Sequence, residues 1–478
     1  MITDNKSHYH EIDFLLPAQR FSIQFSYISQ RGLPFIREFV LRLVHIAPMS
    51  KQQVANYFGL SKRETDETVD DLVARGEMTL SKDGRLTLTD KSKDYFPDIG
   101  EVPQLPVTQE SSATLCFDLA TFSCFSNQNV RDKWRAGVSL RIDDSSVANS
   151  EKLAEKHFQQ QFSQILDKGY LPSHIVQQGS EQPTVYTVKS VNKLRQLPLR
   201  LTSEFQIDTE GKPVERDDYE ELINSECIHE LIATELSALT KGNNLMSITK
   251  SMSTIGDENT LKLFDSKTNA FTPGYMSDML ALEEHNQSGR LTLLGPIYSQ
   301  SNWAAFNKLL GPILVNRIKE KVDNSNSRFT WVAPSDPFWA KSERFVSSLS
   351  DLINKASTKD KILYKPVIYL PVGDKTDFRA AKQWINEFRE YKDSIKCLAE
   401  GFLDGNVEVI LLEDELVVVI YHFVQPETLP VSMPIGFIST DKKLVTKLGK
   451  LVSDYVEGMS SFDNPNDCGY IDTVVNNS

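Results

Sequence analysis

Five basic side chains, Lys51, Lys62, Arg63, Lys82 and Arg85, fall in one short stretch between Met49 and Asp90. Ammonium and guanidinium groups placed this way neutralise phosphate, and a guanidinium can fork onto two acceptors of a base edge. Lys62 and Arg63 open a helix, the position from which side chains reach into a groove, while Lys51, Lys82 and Arg85 stand where they would hold a backbone in register. The same helix continues through Asp66, Glu67, Asp70 and Asp71, which carry the wrong sign for phosphate. Two expectations follow: a face that grips double-stranded DNA through its first turn, or an acidic face that docks a basic protein partner without touching DNA.

The residues suited to catalysis are less organised. Cys116, Cys124, Cys227, Cys397 and Cys468 are scattered, with no Cys-x-x-Cys pair, as reduced thiols are. His8 and His10 are two apart in a polar N-terminal stretch, a spacing that could lend two metal ligands but reads first as a mobile tail. No His-Glu-x-x-His run specifies a metal, so neither metal nor cofactor is expected. His422 lies inside an apolar strand beside Tyr421 and reads as a satisfied core or edge histidine, not a general base. Ser335 and Asp336 follow an expected strand, where α/β folds place ligands, and helix capping explains them equally well. Gly295-Pro296-Ile297-Tyr298 has a similar place after an earlier strand. Val372-Gly373-Asp374-Lys375-Thr376 lacks the spacing of a phosphate loop. A nuclease or phosphodiesterase site built from residues such as Asp336, Asp414 and His422 stays open as a third alternative; a non-enzyme is the preferred reading.

Composition narrows the setting. A chain of 478 residues is too long for one core, and about three domains is the natural expectation. A formal charge of −13 excludes a general nucleic-acid coat, so DNA contact needs a local patch on an acidic body. No window approaches about 18 consecutive apolar residues, and Met1 to Lys6 lacks a signal-peptide pattern. The expected setting is cytoplasmic, with no membrane contact.

The elements that position the basic residues are legible. Ser50 can cap a helix through Gln53, Val54, Ala55 and Phe58, and Gly59-Leu60 turns the chain. Ser61 with Glu64 forms a capping box for the next helix, whose buried face is expected to hold Val69, Leu72 and Val73 before Gly76 ends it. Met78-Thr79-Leu80, an Asp83-Gly84 turn and Leu86-Thr87-Leu88 read as a hairpin, followed by Thr89. A helix from about Pro34 to His45 precedes them. This segment resembles the winged helix-turn-helix family of DNA-binding domains, which implies duplex DNA as the partner.

The expected fold is multidomain α+β. Residues 1–32 form an N-terminal extension packing on the first helix, 33–98 the winged helix, and 99–149 a linker region opened by the proline-rich run Pro97 to Pro106. Residues 150–285 form a mixed central domain, with helices over Ser150 to Asp167 and about Asp218 to Leu239, and strands over Val185 to Val188 and Leu199 to Ile207. Lys189, Lys193 and Arg195 read as a solvated strand face. Residues 286–478 alternate strand and helix, then end in the apolar hairpin Val407 to Leu412 and Leu416 to Tyr421 and a last helix from about Lys442 to Met459.

That hairpin resembles the phospholipase D superfamily, whose His-x-Lys-x-x-x-x-Asp strand runs into a turn and a second apolar strand. With Asp414 on the family aspartate, Val407 replaces the nucleophilic histidine and Val409 the lysine. The resemblance implies a degenerate phospholipase-D-like domain that serves assembly, through a homodimer or a protein partner. Together the two resemblances imply a non-catalytic DNA-associated regulator of transcription, or a subunit of a DNA-handling complex of the kind found in anti-phage (antiviral) defence.

Overall fold

The computed structural model describes residues 6–476 except 33–34, 97, 99–102, 127–135, 177–181, 266–269, 273, 276–278, 280–288, 321–323, 325 and 459–465. The fold is α+β and parts into two compact units: residues 18–129 with 144–196, and residues 1–17 with 130–143 and 197–478. Two long strands, β1 (Ser7–Gly32) and β8 (Thr184–Ile207), supply residues to both, so compactness does not follow the linear order expected from sequence.

In the unit beginning at residue 18, a small module follows β1. Its order is α1 (Phe35–Ile46), β2 (Met49–Ser50), α2 (Lys51–Phe58), α3 (Lys62–Ala74), β3 (Met78–Leu80) and β4 (Arg85–Leu88). The three strands form one antiparallel sheet in the order β2-β4-β3. Both expected capping boxes are present: Ser50 and Gln53 exchange hydrogen bonds, as do Ser61 and Glu64, which satisfies backbone donors that a helix start leaves open. Gly59 adopts φ 66°, a left-handed conformation open to glycine, and this lets α2 stop one turn before α3. Val40, Leu41, Val44, Val54, Val69, Leu72, Met78, Leu86 and Leu88 close the core. Val73 departs from the expected face and is exposed, because α3 turns it one step past Leu72. Pro34 lies outside the described residues.

The stretch before the module belongs to a long strand of a larger sheet. From Ala18 to Gly32, β1 pairs antiparallel with β5 (Gln104–Asp118), and β6 (Cys124–Phe125) adds to β5. Phe21, Ile23, Phe25 and Tyr27 alternate onto a buried face, as a two-residue period requires. Phe25 packs 5.0 Å from Phe158 and 5.8 Å from Phe162 on α4 (Ser150–Asp167), measured between ring centroids. The region expected as a linker thus carries a full strand. Pro103 precedes β5 and Pro106 sits near its start, where a missing N–H disrupts least. Pro97 and residues 99–102 lie outside the described residues.

The other unit opens with β7 (Val138–Ser139) paired parallel to Phe14 and Leu15 of β1. Leu199 to Ile207 is the end of β8, not a separate strand, and Asp208 closes the expected turn at Gly211 by accepting from the N–H groups of Glu210 and Lys212. The helix expected from Asp218 starts later, as α5 (Ser225–Leu239), because the Asn224 side chain accepts from the Cys227 N–H and fixes the first turn there. After a short hairpin of β9 (Phe264–Asp265) and β10 (Ala270–Phe271) comes an eight-stranded sheet. Its sequence is β11 (Arg290–Leu294), α6 (Gln300–Lys319), β12 (Arg328–Val332), α7 (Glu343–Asn354), β13 (Lys365–Val372), α8 (Phe378–Glu387), β14 (Ile395–Ala399), β15 (Val407–Leu412), β16 (Leu416–Phe423), β17 (Met433–Ser439), α9 (Lys442–Glu457) and β18 (Asp467–Tyr470). The spatial order is β11-β17-β16-β15-β12-β13-β14-β18, with β12, β13 and β14 parallel and the outer pairs antiparallel. Every residue of β15, β16 and β17 is buried, which explains their near-continuous apolar runs.

Candidate nucleic-acid interface and a buried histidine cluster

The five basic residues fall into three places. Lys62 and Arg63 form the first turn of α3 and are exposed, so the start of that helix is open to solvent. Lys82 and Arg85 are exposed on either side of the Asp83-Gly84 turn joining β3 to β4. Lys51 differs from expectation: it is half-buried at the start of α2, and its Nζ lies 3.0 Å from Asp66 Oδ1 and 3.3 Å from Asp70 Oδ1. Those two carboxylates push the Lys51 pKa up, chiefly through the Asp66 hydrogen bond. Other acids on α3 are matched as well. Arg63 Nε donates to Glu67 at 2.9 Å, and Arg75 Nε to Asp71 at 2.7 Å. The acidic row therefore meets local cations, which reduces its repulsion of phosphate. Beneath the module, buried Glu77 takes a forked contact from Arg37 and a hydrogen bond from Tyr95, tying α1 to the segment after α3.

In the other unit, His422 at the end of β16 meets two carboxylates. Its Nδ1 lies 2.8 Å from Asp336 Oδ2 and its Nε2 3.1 Å from Glu408 Oε2. Carboxylates accept, so both ring nitrogens donate and the ring is an imidazolium. Burial alone would lower the His422 pKa, but the hydrogen bonds and charges of Asp336 and Glu408 raise it to about 9. Burial likewise pushes the Asp336 carboxyl up, and His422 with Ser432 overcomes that and holds it below the usual value. Glu408 Oε1 also accepts from the indole N–H of Trp331 at 2.7 Å and Trp339 at 3.0 Å, while Ser432 Oγ donates to Asp336 at 2.5 Å. His422 is 1% exposed and Glu408 0%, and no ring nitrogen is left over, so this His422 is positioned to hold strands together and not to take a substrate proton.

His10 belongs to the same unit and also departs from expectation. It is buried in β1 instead of lying in a tail, and His8 shares the strand. The Glu11 carbonyl 3.2 Å from His10 Nδ1 can only accept, so the proton sits on Nδ1. Burial lowers its pKa to about 4, in a field set by Asp336 and His422, and the ring is neutral near pH 7. Asp414 joins none of this. It occupies the β15–β16 turn with φ 63°, roughly 25 Å along β16 from His422 at the usual rise per residue. Of the three residues offered as a hydrolytic site, the fold unites Asp336 and His422 and leaves Asp414 at the opposite end of the strand.

A cavity of about 810 Å³ borders the cluster at the carboxyl ends of β12 and β13, with Ser335, Asp336, Lys341, Pro371 and Arg379 in its wall. Lys341 is clamped by both oxygens of Glu387, at 2.8 and 2.6 Å. Asp336 lines the cavity as expected but caps no helix: it accepts from the Phe338 N–H in a turn, and the next helix, α7, starts at Glu343 with Ser342 as its cap. Gly295 and Pro296 line a separate cavity of about 540 Å³. Thr376 bonds to Asp374 beside it, and no helix starts at Lys375 as a phosphate loop would need. Lys189, Lys193 and Arg195 are exposed on β8, the solvated strand face expected, with Lys189 paired to Glu110 and the Lys193 ammonium on the Val147 carbonyl. Among the described residues no group of three or more histidine, cysteine, aspartate or glutamate side chains could hold a metal ion, and all five cysteines are unbridged. No described helix is long and apolar enough to cross a membrane.

Glu408 and Ser432 are the functional-looking residues that sequence reading missed, and His10 is one that it placed in a tail. A signal existed for Glu408. Leu412 opposite Leu416 fixes the hairpin register and sets Glu408 opposite Ile420, so His422 is its same-face diagonal neighbour. An acid and a histidine that share one face of an otherwise apolar hairpin invite pairing.

Comparison with known proteins adds little to this geometry. No family model matches the chain, and no curated protein matches it. Among solved structures the chain is similar to the phosphatidylserine synthase of Haemophilus influenzae Rd KW20, at 10% identity and a TM-score of 0.22. The match covers 37% of this chain and 44% of that one, less than half its length, and a likeness this faint transfers neither fold nor chemistry between the two.

Proposed function

We propose that the chain is a non-catalytic DNA-associated regulator, or a subunit of a DNA-handling complex, whose 35–96 module is a winged helix that engages duplex DNA. The observation that carries this reading is the module's order and sheet, α1-β2-α2-α3 followed by the β3–β4 hairpin, with the first turn of α3 and the hairpin turn both basic and exposed. Lys62 and Arg63 would contact bases or phosphates, Lys82 and Arg85 would hold the flanking backbone, and Lys51 would act indirectly by tethering α2 to α3. The eight-stranded sheet is read as a degenerate phospholipase-D-like domain serving assembly, because Val407 and Val409, buried in β15, occupy the positions where that chemistry needs a histidine and a lysine. Pairing two copies would place two modules on one duplex and raise a weak affinity.

The test is duplex binding by the full chain at moderate salt. Lys62→Glu with Arg63→Glu is expected to weaken binding at least tenfold, because a well-made bidentate hydrogen bond to a base is worth about 1–3 kcal/mol and the reversed charge repels phosphate besides. Equal binding by parent and variant would end the proposal.

One observation favours a second reading: Glu67, Asp70 and Asp71 stay exposed along α3 and would suit a basic protein partner. Neutralising Asp66, Glu67, Asp70 and Asp71 together separates the two. It strengthens duplex binding under the first reading and abolishes partner capture under the second.

A further inference from the structure

A cavity of about 930 Å³ opens where the end of β8, the stretch 213–218, one face of α5 and the loop 426–430 meet, all within one compact unit. On α5 the lining residues Glu226, His229, Ala233 and Leu236 recur every three or four positions, so a single helical face forms one wall. Three polar atoms of the lining residues are buried without a hydrogen-bond partner: Tyr9 Oη, Arg216 Nη1 and His229 Nε2. Tyr9 is 1% exposed. Asp218 Oδ1 faces His229 Nε2 at 3.4 Å without making a hydrogen bond. Folded proteins leave few buried polar atoms unsatisfied; His229 has Asp218 facing it, and Tyr9 Oη and Arg216 Nη1, from different elements around the cavity, point to a partner that the chain itself does not supply.

The chemistry of that partner can be narrowed. The Arg216 guanidinium stands 5.6 Å over the Phe205 ring and is held partly out of water, and Phe205, Ala233, Leu236 and Leu429 supply an apolar wall. Mostly apolar walls with a few polar groups are the usual build of a small-molecule site. Inside, one permanent cation and one neutral hydroxyl donor lie close enough to influence each other. Outside, Glu215, Asp218 and Glu226 are exposed at the rim with Lys241, which makes a second negative charge on the ligand unwelcome.

We propose that this cavity binds a small planar monocarboxylate, whose carboxylate accepts from Arg216 and Tyr9 while its ring lies against Phe205 and Leu236. The site is independent of the DNA-binding reading and stands or falls separately.

Calorimetric titration of the full chain with indole-3-carboxylate and benzoate tests it, with benzamide and phenyl phosphate as the neutral and dianionic counterparts. At least one carboxylate is expected to bind, with benzamide and phenyl phosphate each about tenfold weaker or worse. Arg216→Met is expected to weaken carboxylate binding about tenfold or more and Tyr9→Phe about fivefold, with thermal unfolding of both variants confirming an intact fold. Failure of both carboxylates to bind the parent at millimolar concentration, tighter binding of phenyl phosphate, or unchanged affinity in a folded Arg216→Met chain would each overturn the assignment.

Discussion

His422 sets the behaviour of the buried cluster. Its pKa is raised to about 9 against an ordinary 6.5, so the folded state binds its proton more tightly than the unfolded chain does. The stabilisation is complete below about pH 6.5 and is lost as pH rises through about 9. His10 acts in the opposite sense: with its pKa lowered to about 4, its contribution is present above about 6.5 and drains away as pH falls toward 4. Stability should therefore be greatest near neutrality with respect to these two rings. Replacing His422 by leucine leaves Asp336 and Glu408 buried without their cation, which is expected to cost about 3–5 kcal/mol in urea denaturation at pH 7. The same variant should lose the decline between pH 6.5 and 9; a decline of undiminished size would place its origin elsewhere. At this scale the sequence was partly legible. The reading of His422 as a satisfied core histidine fits its two partners, but Asp336 arrives from a different strand end, and nothing in local pattern announces a contact between residues 86 apart.

Elements were easier to read where local chemistry decides them. The capping boxes at Ser50 and Ser61 and the left-handed Gly59 are short-range devices, and α2 and α3 start and stop where those residues require. Ser61→Ala should lower the stability of the module by about 1 kcal/mol, seen as earlier local opening of α3 in hydrogen exchange. Strands governed by distant partners were harder. β1 and β5 find each other across the whole module, so one reads as an extension and the other as a linker; β14 and β18 are short, and β17 is completed on its second edge by the distant β11. Gly436 in β17 shows how tightly such strands fit. A Cβ there would clash with the Val419 carbonyl oxygen and lie 2.7 Å from Ile420 Cα. Gly436→Ala is expected to cost about 3 kcal/mol or more, since the obstacle is backbone, and a thermal midpoint within a degree or two of the parent would contradict this.

At the scale of the whole molecule, an acidic body carries a small basic surface, and the chain as a whole bears a formal charge of −13. That charge gives no long-range attraction to DNA, so under the proposed reading binding would rest on a few close contacts. If Lys62, Arg63, Lys82 and Arg85 all meet phosphate, the logarithm of the affinity should fall against the logarithm of salt with a slope of about −3 to −4. A slope near zero would fit the protein-docking reading instead. The strand β1 also bears on how this protein can be handled in the laboratory. Its residues 18–32 hydrogen-bond to 104–118, on the far side of the module that would be cut out as a DNA-binding fragment. Expressed only to residue 98, the chain would keep a long ribbon bearing Phe21, Ile23, Phe25 and Tyr27 but lose both the strand that pairs with it and the helix α4 that packs on Phe25, leaving a sticky edge that invites aggregation. Trimming has to begin after Gly32 or extend past both β5 and α4, whose Phe158 and Phe162 pack on Phe25.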